Sequence, residues 1–344
     1  MNLKLQVDRY LEYSLNFNDK EKAFLKNNAT WYPKRIIDCH AHCNLLEHVG
    51  KLPQKSLTSM ISTFFYYTVP FSKKINNLLY PNSVVRTLRF PNVFPGIKLK
   101  RANKYLLSQS APYDGVAVFG SADDCEYVIQ MLRKHKPNAL KMYWYYTEKS
   151  AETIYQCFPE KVLKVAQEMD IPIILHLPKV ITKSKDDLLS VLLEYPKLRI
   201  CVPHLGSTKF VIDGLEETYK ILAKKTNIFL DTSLNPSYEV IKLAFKYFGT
   251  NRIMFGSDQP LNLIRYVPYV NPEKGQRILT EFIYHWVDED EHDKYKYIIN
   301  DLYHCHWLAV NSLRKVIDEY PIKIRDKIKE DVFYNNAKKF YKFR

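Results

Sequence analysis

The chain is expected to fold as an α/β protein, a TIM-type (β/α)8 barrel, and three observations predict it. From residue 160 onward, helical stretches alternate with short apolar runs in consecutive helix–strand units. The runs are continuously apolar, as strands buried on both faces are, and strands joined by crossover helices must lie parallel. Counting backward brings the strands to eight, and eight units in 344 residues favour a closed barrel over an open sheet.

Residues 1–34 precede the first strand and read as a helical extension, leaving 35–344 as the barrel domain. "RIIDCHAH" (35–42) is the first strand, and the stretch after it shows no clear period. "SVVRTLRF" (83–90) is a weaker second strand. "DGVAVFGS" (114–121) and "NALKMYW" (138–144) bracket a helix at about 122–135. "EKVLKVAQEMD" (160–170) sets Val162, Val165, Ala166 and Met169 at helical spacing, and "IPIILHL" (171–177) follows as a strand. The unit repeats as "DDLLSVLLEY" with "KLRICVPHLG", "KFVIDGLEETYKILAKKT" with "NIFLDTS", and "SYEVIKLAFKYFG" with "NRIMFGSD". Residues 266–320, rich in Tyr, His and Trp, are expected to form a mostly helical insertion near the active face, a lid or a homodimer contact. Residues 321–344 hold eight Lys or Arg against three Asp or Glu. Ile324, Ile328 and Val332 at helical spacing make those charges the solvated face of an amphipathic helix.

The composition, 46% hydrophobic and 26% charged, is that of a globular chain. No run reaches the length of a membrane span, and the first residues lack a signal peptide's apolar core, so the cytoplasm is expected. Six cysteines without a C-x-x-C pair read as reduced thiols. A net charge of +14 raises nucleic acid as a partner, but the lysines are spread out and no nucleic-acid motif accompanies them. A small anionic substrate is a milder use of the excess, and solubility a milder one still.

Two histidines two residues apart on a strand point the same way, about 7 Å apart. His40 and His42 are then half of a metal site, or one is solvated and the other packs in the core. Strict alternation puts Cys39 and Cys43 on the opposite face as packing residues. Barrel chemistry sits at the carboxyl ends of the strands. Polar residues recur there: His40, His42, Lys141, His176, His204, Asp231 and Asp258. Each alone has a structural explanation, such as a capping Asp. Their recurrence at one end of one sheet does not. Three imidazoles and a carboxylate suit Zn2+ and related first-row ions.

"DCHAH", "ILHLP", "CVPHLG" and "IMFGSDQP", in that order, resemble the amidohydrolase superfamily, and "VFYNNAKKFY" resembles its closing helix with an Asn-Ala pair. The branch most similar is the amidohydrolase-related group, which includes carboxymuconate-semialdehyde decarboxylases and dicarboxylate lactonases. The resemblance implies that His40, His42, His176 and Asp258 bind one divalent metal. Zn2+ is expected, with Mn2+ or another first-row ion as the alternative. It places His204 beside the metal-bound water. Other members hold two metals bridged by a carbamylated lysine on strand 4, where Lys141 lies. Here Ala139 and Met142 replace the related group's usual glycine and leucine around that lysine. One metal is favoured, with Lys141 contacting a substrate carboxylate or forming a buried ion pair.

The implied activity is hydrolysis of a C–N or C–O acyl bond in a small, anionic molecule by a metal-activated water. Asp258 would pass the water's proton to the leaving group, and His204 would polarise the carbonyl or act as a second base. Non-oxidative decarboxylation with the same residues is the alternative. A non-catalytic member binding metal or nucleic acid is a second alternative, and retention of every ligand argues against it. "CNLLEHVGKLPQ", "YWYYTEKS" and "LNLIRYVPYV" would line the substrate pocket, their aromatics facing a planar or apolar substrate body or packing on the insertion.

Overall fold

The computed structural model describes residues 3–50, 66–92, 94, 96–109, 113–143, 151–281 and 289–344. Eight parallel strands follow one another in spatial order: β1 (Arg35–His42), β2 (Val84–Phe90), β3 (Gly115–Gly120), β4 (Ala139–Met142), β5 (Ile173–Leu175), β6 (Ile200–Val202), β7 (Ile228–Asp231) and β8 (Ile253–Met254). The ring closes between β1 and the segment after β8. Cys39 N donates to Phe255 O at 3.0 Å, Asp258 N to His40 O at 2.7 Å and His42 N to Gln259 O at 2.6 Å. The (β/α)8 barrel is therefore the fold, as the strand count predicts.

Two helices, α1 (Leu3–Leu15) and α2 (Asp19–Asn28), form the expected N-terminal extension. Asn18 and Glu21 make a reciprocal capping box at the start of α2. The crossover helices are α3 (Val69–Leu79), α4 (Leu99–Gln109), α5 (Cys125–His135), α6 (Glu160–Glu168), α7 (Ile181–Glu194), α8 (Leu215–Leu222) and α9 (Tyr238–Phe248). Their apolar faces pack on the outside of the barrel in one continuous core. A smaller cluster fills the barrel itself, with Ile37, Cys39, Leu88, Phe90, Ile174 and Cys201 among its members.

The register of β1 on β2 skips a residue between Asp38 and Ala41, a bulge in β1. This corrects the expectation for Cys39. Alternation carries Ile37 and Cys39 into the barrel, and the extra residue resets the phase so that His40 and His42 also face inward. Cys39 lies below the histidines in the same interior, while Cys43 packs in the outer core. All six cysteines are buried and unbridged.

The segment after β8 differs from the mostly helical insertion expected. It begins with an antiparallel hairpin, β9 (Arg265–Asn271) and β10 (Gly275–Thr280), and β9 also pairs with the short β11 (Tyr303–His304). Helix returns in α10 (Glu289–Tyr295) and α11 (Cys305–Asp318). The hairpin forms because Asn271 Oδ1 accepts from Glu273 N and Lys274 N, closing a tight turn before Gly275, whose φ is +73°. Glu21 joins α2 to this segment. It is buried with Arg265 at 3.1 Å and His304 Nδ1 at 2.9 Å.

The chain ends in α12 (Ile322–Glu330), a single π-helical turn and α13 (Asn336–Phe340). Asn336 of the Asn-Ala pair donates to Thr250 O at 2.7 Å and Ile253 O at 2.8 Å, and Phe333 stacks on Phe255, so the closing helix is tied to β8. Among the described residues, no helix is long and apolar enough to cross a membrane.

Candidate metal centre

The residues singled out by sequence meet at the carboxyl ends of the strands. His40 and His42 leave β1 with ring centroids 5.5 Å apart, His40 lies 5.0 Å from His204 after β6, and His204 lies 5.3 Å from His176 after β5. Asp258 Oδ1 sits 3.0 Å from His42 Nε2 and 3.3 Å from His40 Nε2. Ligand atoms of His40, His204 and Asp258 all lie within 4.8 Å of one another. His204, read from sequence as a neighbour of the metal-bound water, thus belongs geometrically to the tightest group.

Each imidazole is held by its Nδ1. His40 Nδ1 is 2.9 Å from Asp231 Oδ2, His42 Nδ1 3.0 Å from Pro91 O, His176 Nδ1 3.2 Å from Leu177 O and His204 Nδ1 3.0 Å from Ser233 O. All four partners are acceptors, so Nδ1 carries the proton and Nε2 is left as the lone-pair atom, which at His40 faces Lys141 Nζ at 3.2 Å. Burial pulls all four histidine pKa values down, His204 to about 4, so the rings are neutral near pH 7.

Asp258 Oδ1 is buried without a hydrogen bond of acceptable geometry, although two imidazole nitrogens stand beside it. A buried carboxylate oxygen in that state is costly unless a cation faces it. Tetrahedral ligands at about 2.0–2.1 Å from a Zn2+ ion lie about 3.3 Å from each other. The N···O separations at Asp258 are of that size, so the donor set fits a small divalent ion. Burial works against ionisation of Asp258, and positive charge beside it, on the His40 ring first, holds its carboxyl below the usual range; with the rings neutral, an ion would supply that charge.

The backbone is shaped for this meeting. Asp258 has a φ of +61° and His204 of +55°, left-handed conformations that cost a non-glycine residue energy and cluster at functional sites. Gly256 lets β8 approach β1 and β7, since a Cβ there would stand 2.8 Å from His40 Cβ.

Lys141 enters from β4, buried, with Nζ 3.2 Å from His40 Nε2 and 4.1 Å from the centre of the Phe90 ring. Burial lowers its pKa to about 8, opposed by the charges of Asp258 and Asp231, so it is mostly an ammonium at pH 7.

Sequence reasoning gave Asp231 no role beyond its place at a strand end, placed Tyr143 only within an expected pocket-lining segment, and missed Ser233 and Phe90. Asp231 accepts from His40 Nδ1 and from the backbone N of His204 and Ser233, at 2.9 to 3.1 Å. The Phe90 ring lies against both His40 and His42, and Tyr143 lies 4.7 Å from His176. An Asp ending a strand and followed by Ser was the signal for the first pair. Nothing local marks an aromatic that touches imidazoles from another strand. Of the expected pocket segments, 51–54 and 144–150 lie outside the described residues.

The eight-stranded barrel brings imidazoles and a carboxylate together at the carboxyl ends of its strands, where barrel sites lie, as a group that could hold a metal ion. Residues 129–343 match the family model described as amidohydrolase, and the chain belongs to the amidohydrolase superfamily, in its amidohydrolase-related branch. No curated protein matches the sequence. Among solved structures, an amidohydrolase from Bifidobacterium longum subsp. infantis is similar, with TM-score 0.57 and 12% identity over 91% of this chain and 100% of that one. The 2,6-dihydroxybenzoate decarboxylase from Rhizobium gives 0.57 at 12% identity, over 90% and 99%. The 5-carboxyvanillate decarboxylase from Novosphingobium aromaticivorans, complexed with manganese, gives 0.53 at 13% identity, over 92% and 97%. Identities this low speak for the fold alone.

Proposed function

We propose that the protein is a metal-dependent decarboxylase, a carbon–carbon lyase that releases CO2 from a small carboxylic acid. His40, His42, His176 and Asp258 hold the ion, Zn2+ first and Mn2+ as the alternative. The observation that carries this reading is the meeting of His40 Nε2, His42 Nε2 and the His204 ring with one buried Asp258 oxygen that has no hydrogen bond, while the Nδ1 atoms of all four histidines are committed to acceptors. Two solved structures of similar fold are decarboxylases of aromatic acids, covered almost end to end, and that favours decarboxylation over acyl hydrolysis.

A divalent ion at this site supplies Lewis-acid polarisation of a substrate oxygen. Lys141 Nζ binds and orients the substrate's anionic group. When the carboxylate leaves as CO2, the electron pair of the broken C–C bond stays on the substrate carbon, and one proton is taken up there. That proton comes from water and is relayed to the carbon by His204, whose Nε2 lone pair accepts it and passes it on while Ser233 O holds the ring, with the Asp258 carboxylate as the second relay. Phe90 and Tyr143 make the neighbourhood suited to a planar acid.

Hydrolysis of a C–N or C–O acyl bond is the second reading, favoured by the family model and by the Bifidobacterium structure. In both readings 35–344 is one catalytic domain, 1–34 an extension, and the 266–320 segment a lid or homodimer contact. The setting is the cytoplasm and the substrate a small anion. The test is a panel of hydroxybenzoates, including 2,6-dihydroxybenzoate and 5-carboxyvanillate, beside a panel of amides and lactones. CO2 release from an acid supports the proposal. Acyl cleavage without CO2 overturns it in favour of hydrolysis.

A further inference from the structure

The loop that carries Asp258 is held from outside the barrel as well as from within. Its left-handed φ costs roughly 1–2 kcal/mol, so the surroundings must over-determine it. On the barrel side, Ser257 donates to Asp38 through its backbone N at 2.8 Å and its hydroxyl at 2.5 Å. On the other side stands Gln259, fully buried. Its Oε1 accepts from Ser72 Oγ of α3 at 3.0 Å and from Tyr67 OH at 3.3 Å. Its Nε2 donates to Asn76 Oδ1, also on α3, at 2.5 Å, and Asn76 in turn donates to Thr87 Oγ1 at 3.0 Å. The Gln259 backbone carbonyl accepts from His42 N. One side chain thus ties α3 to the neighbour of Asp258 and to His42, through polar groups that would be expensive to leave unpaired.

We infer that Gln259 is a positioning residue, anchored on Ser72 and Asn76 of α3, that holds the Asp258 carboxylate and the His42 imidazole in the arrangement that takes the ion. The inference rests on the metal reading of the site. Gln259 acts through its backbone, which follows Asp258 directly and receives His42 N. Partners outside the ligand shell typically govern metal affinity by 10–100-fold.

The experiment titrates Zn2+ against a chromogenic chelator in wild type, Gln259→Met and Asn76→Leu, and records Tm for each metal-free protein. Gln259→Met is expected to weaken Zn2+ binding about tenfold or more, and Asn76→Leu several-fold in the same direction. Among the described residues Asn76 hydrogen-bonds Gln259 and Thr87 and neither Asp258 nor His42, so its effect reports the anchor. Ser72→Ala, which removes one partner of Gln259, is read in addition because it perturbs folding least; about two- to threefold weaker binding is expected. A lower Tm with unchanged Zn2+ affinity across the folded variants would make Gln259 a stitch in the core and overturn the inference. Wild-type protein that takes no ion would overturn the metal reading, and the inference with it.

Discussion

Asp231→Asn changes one oxygen to an amide and should cost the site much of its metal. Asp231 Oδ1 receives the backbone N–H groups of His204 and Ser233 at 3.0 and 3.1 Å, and Oδ2 receives His40 Nδ1 at 2.9 Å. In the variant the remaining oxygen is claimed by the two backbone donors, so the new NH2 faces His40. Two donors cannot share that position, and the imidazole must move its proton to Nε2, where the ion would bind. The lost bond is charge-assisted and worth about 1.5–3 kcal/mol, which corresponds to roughly 10–100-fold in metal affinity. Asp231 is the right residue to change because its carboxyl is held well below the usual range. Burial opposes that, but the hydrogen bonds from His40 and Ser233, with positive charge on the His40 ring when it is protonated, outweigh it, so the native group is an anion near pH 7. The assay is competition with a chelator, supported by the rise in Tm with metal concentration, which follows RT ln(1 + [M]/Kd). The shape of the site is preserved, so metal-free Tm should move much less than the Kd. Equal metal affinity in wild type and variant would refute the tautomer argument, and with it the reason given for four Nδ1 atoms facing acceptors.

Purified protein should carry about one divalent ion per chain, and His176→Ala should lose it; elemental analysis showing full occupancy in the variant would remove His176 from the ligand set. His204→Asn should lower kcat by about 10²–10⁴ with metal content near wild type, and loss of metal instead would make His204 a ligand, as its closeness to His40 and Asp258 allows. Lys141→Ala should keep the metal and raise KM, because an ammonium facing an anion mainly attracts and orients it; two metals per chain in wild type would overturn this. For Glu21, burial raises the pKa but His304 and Arg265 together bring it down to about 2, below the ordinary 4.5. A depressed carboxyl stabilises the fold fully above about pH 4.5 and loses that contribution as pH falls toward 2, here about 2–3 kcal/mol. Acid unfolding followed by circular dichroism should therefore lose part of its slope in that window in Glu21→Gln, and an unchanged slope would count against the buried cluster.

The barrel and half of its site were legible because they are written locally. A strand buried on both faces needs continuous apolar residues wherever it lies, so "IPIILHL" or "NRIMF" declares itself without a partner. His40, His42, His176, His204 and Asp258 announce themselves because each interrupts or ends such a run. The hairpin at 265–280 was missed although "NPEKG" is a turn signal, because β10 is an exposed edge strand and β9, half-buried and interrupted by Pro268, carries no continuous apolar run. What only the tertiary structure decided are relations between distant segments. The bulge that turns both Cys39 and His40 inward depends on the register of β1 against β2, which side-chain alternation cannot report. The proton on each imidazole depends on an acceptor supplied by another residue, for His40 one 191 positions away. The left-handed turn of Asp258 is stable only because β1 and its neighbours, more than two hundred residues earlier in the chain, supply the hydrogen bonds that hold it. Hydrophobic pattern is a property of short segments and survives in the sequence; the direction of a lone pair is a property of the packed whole.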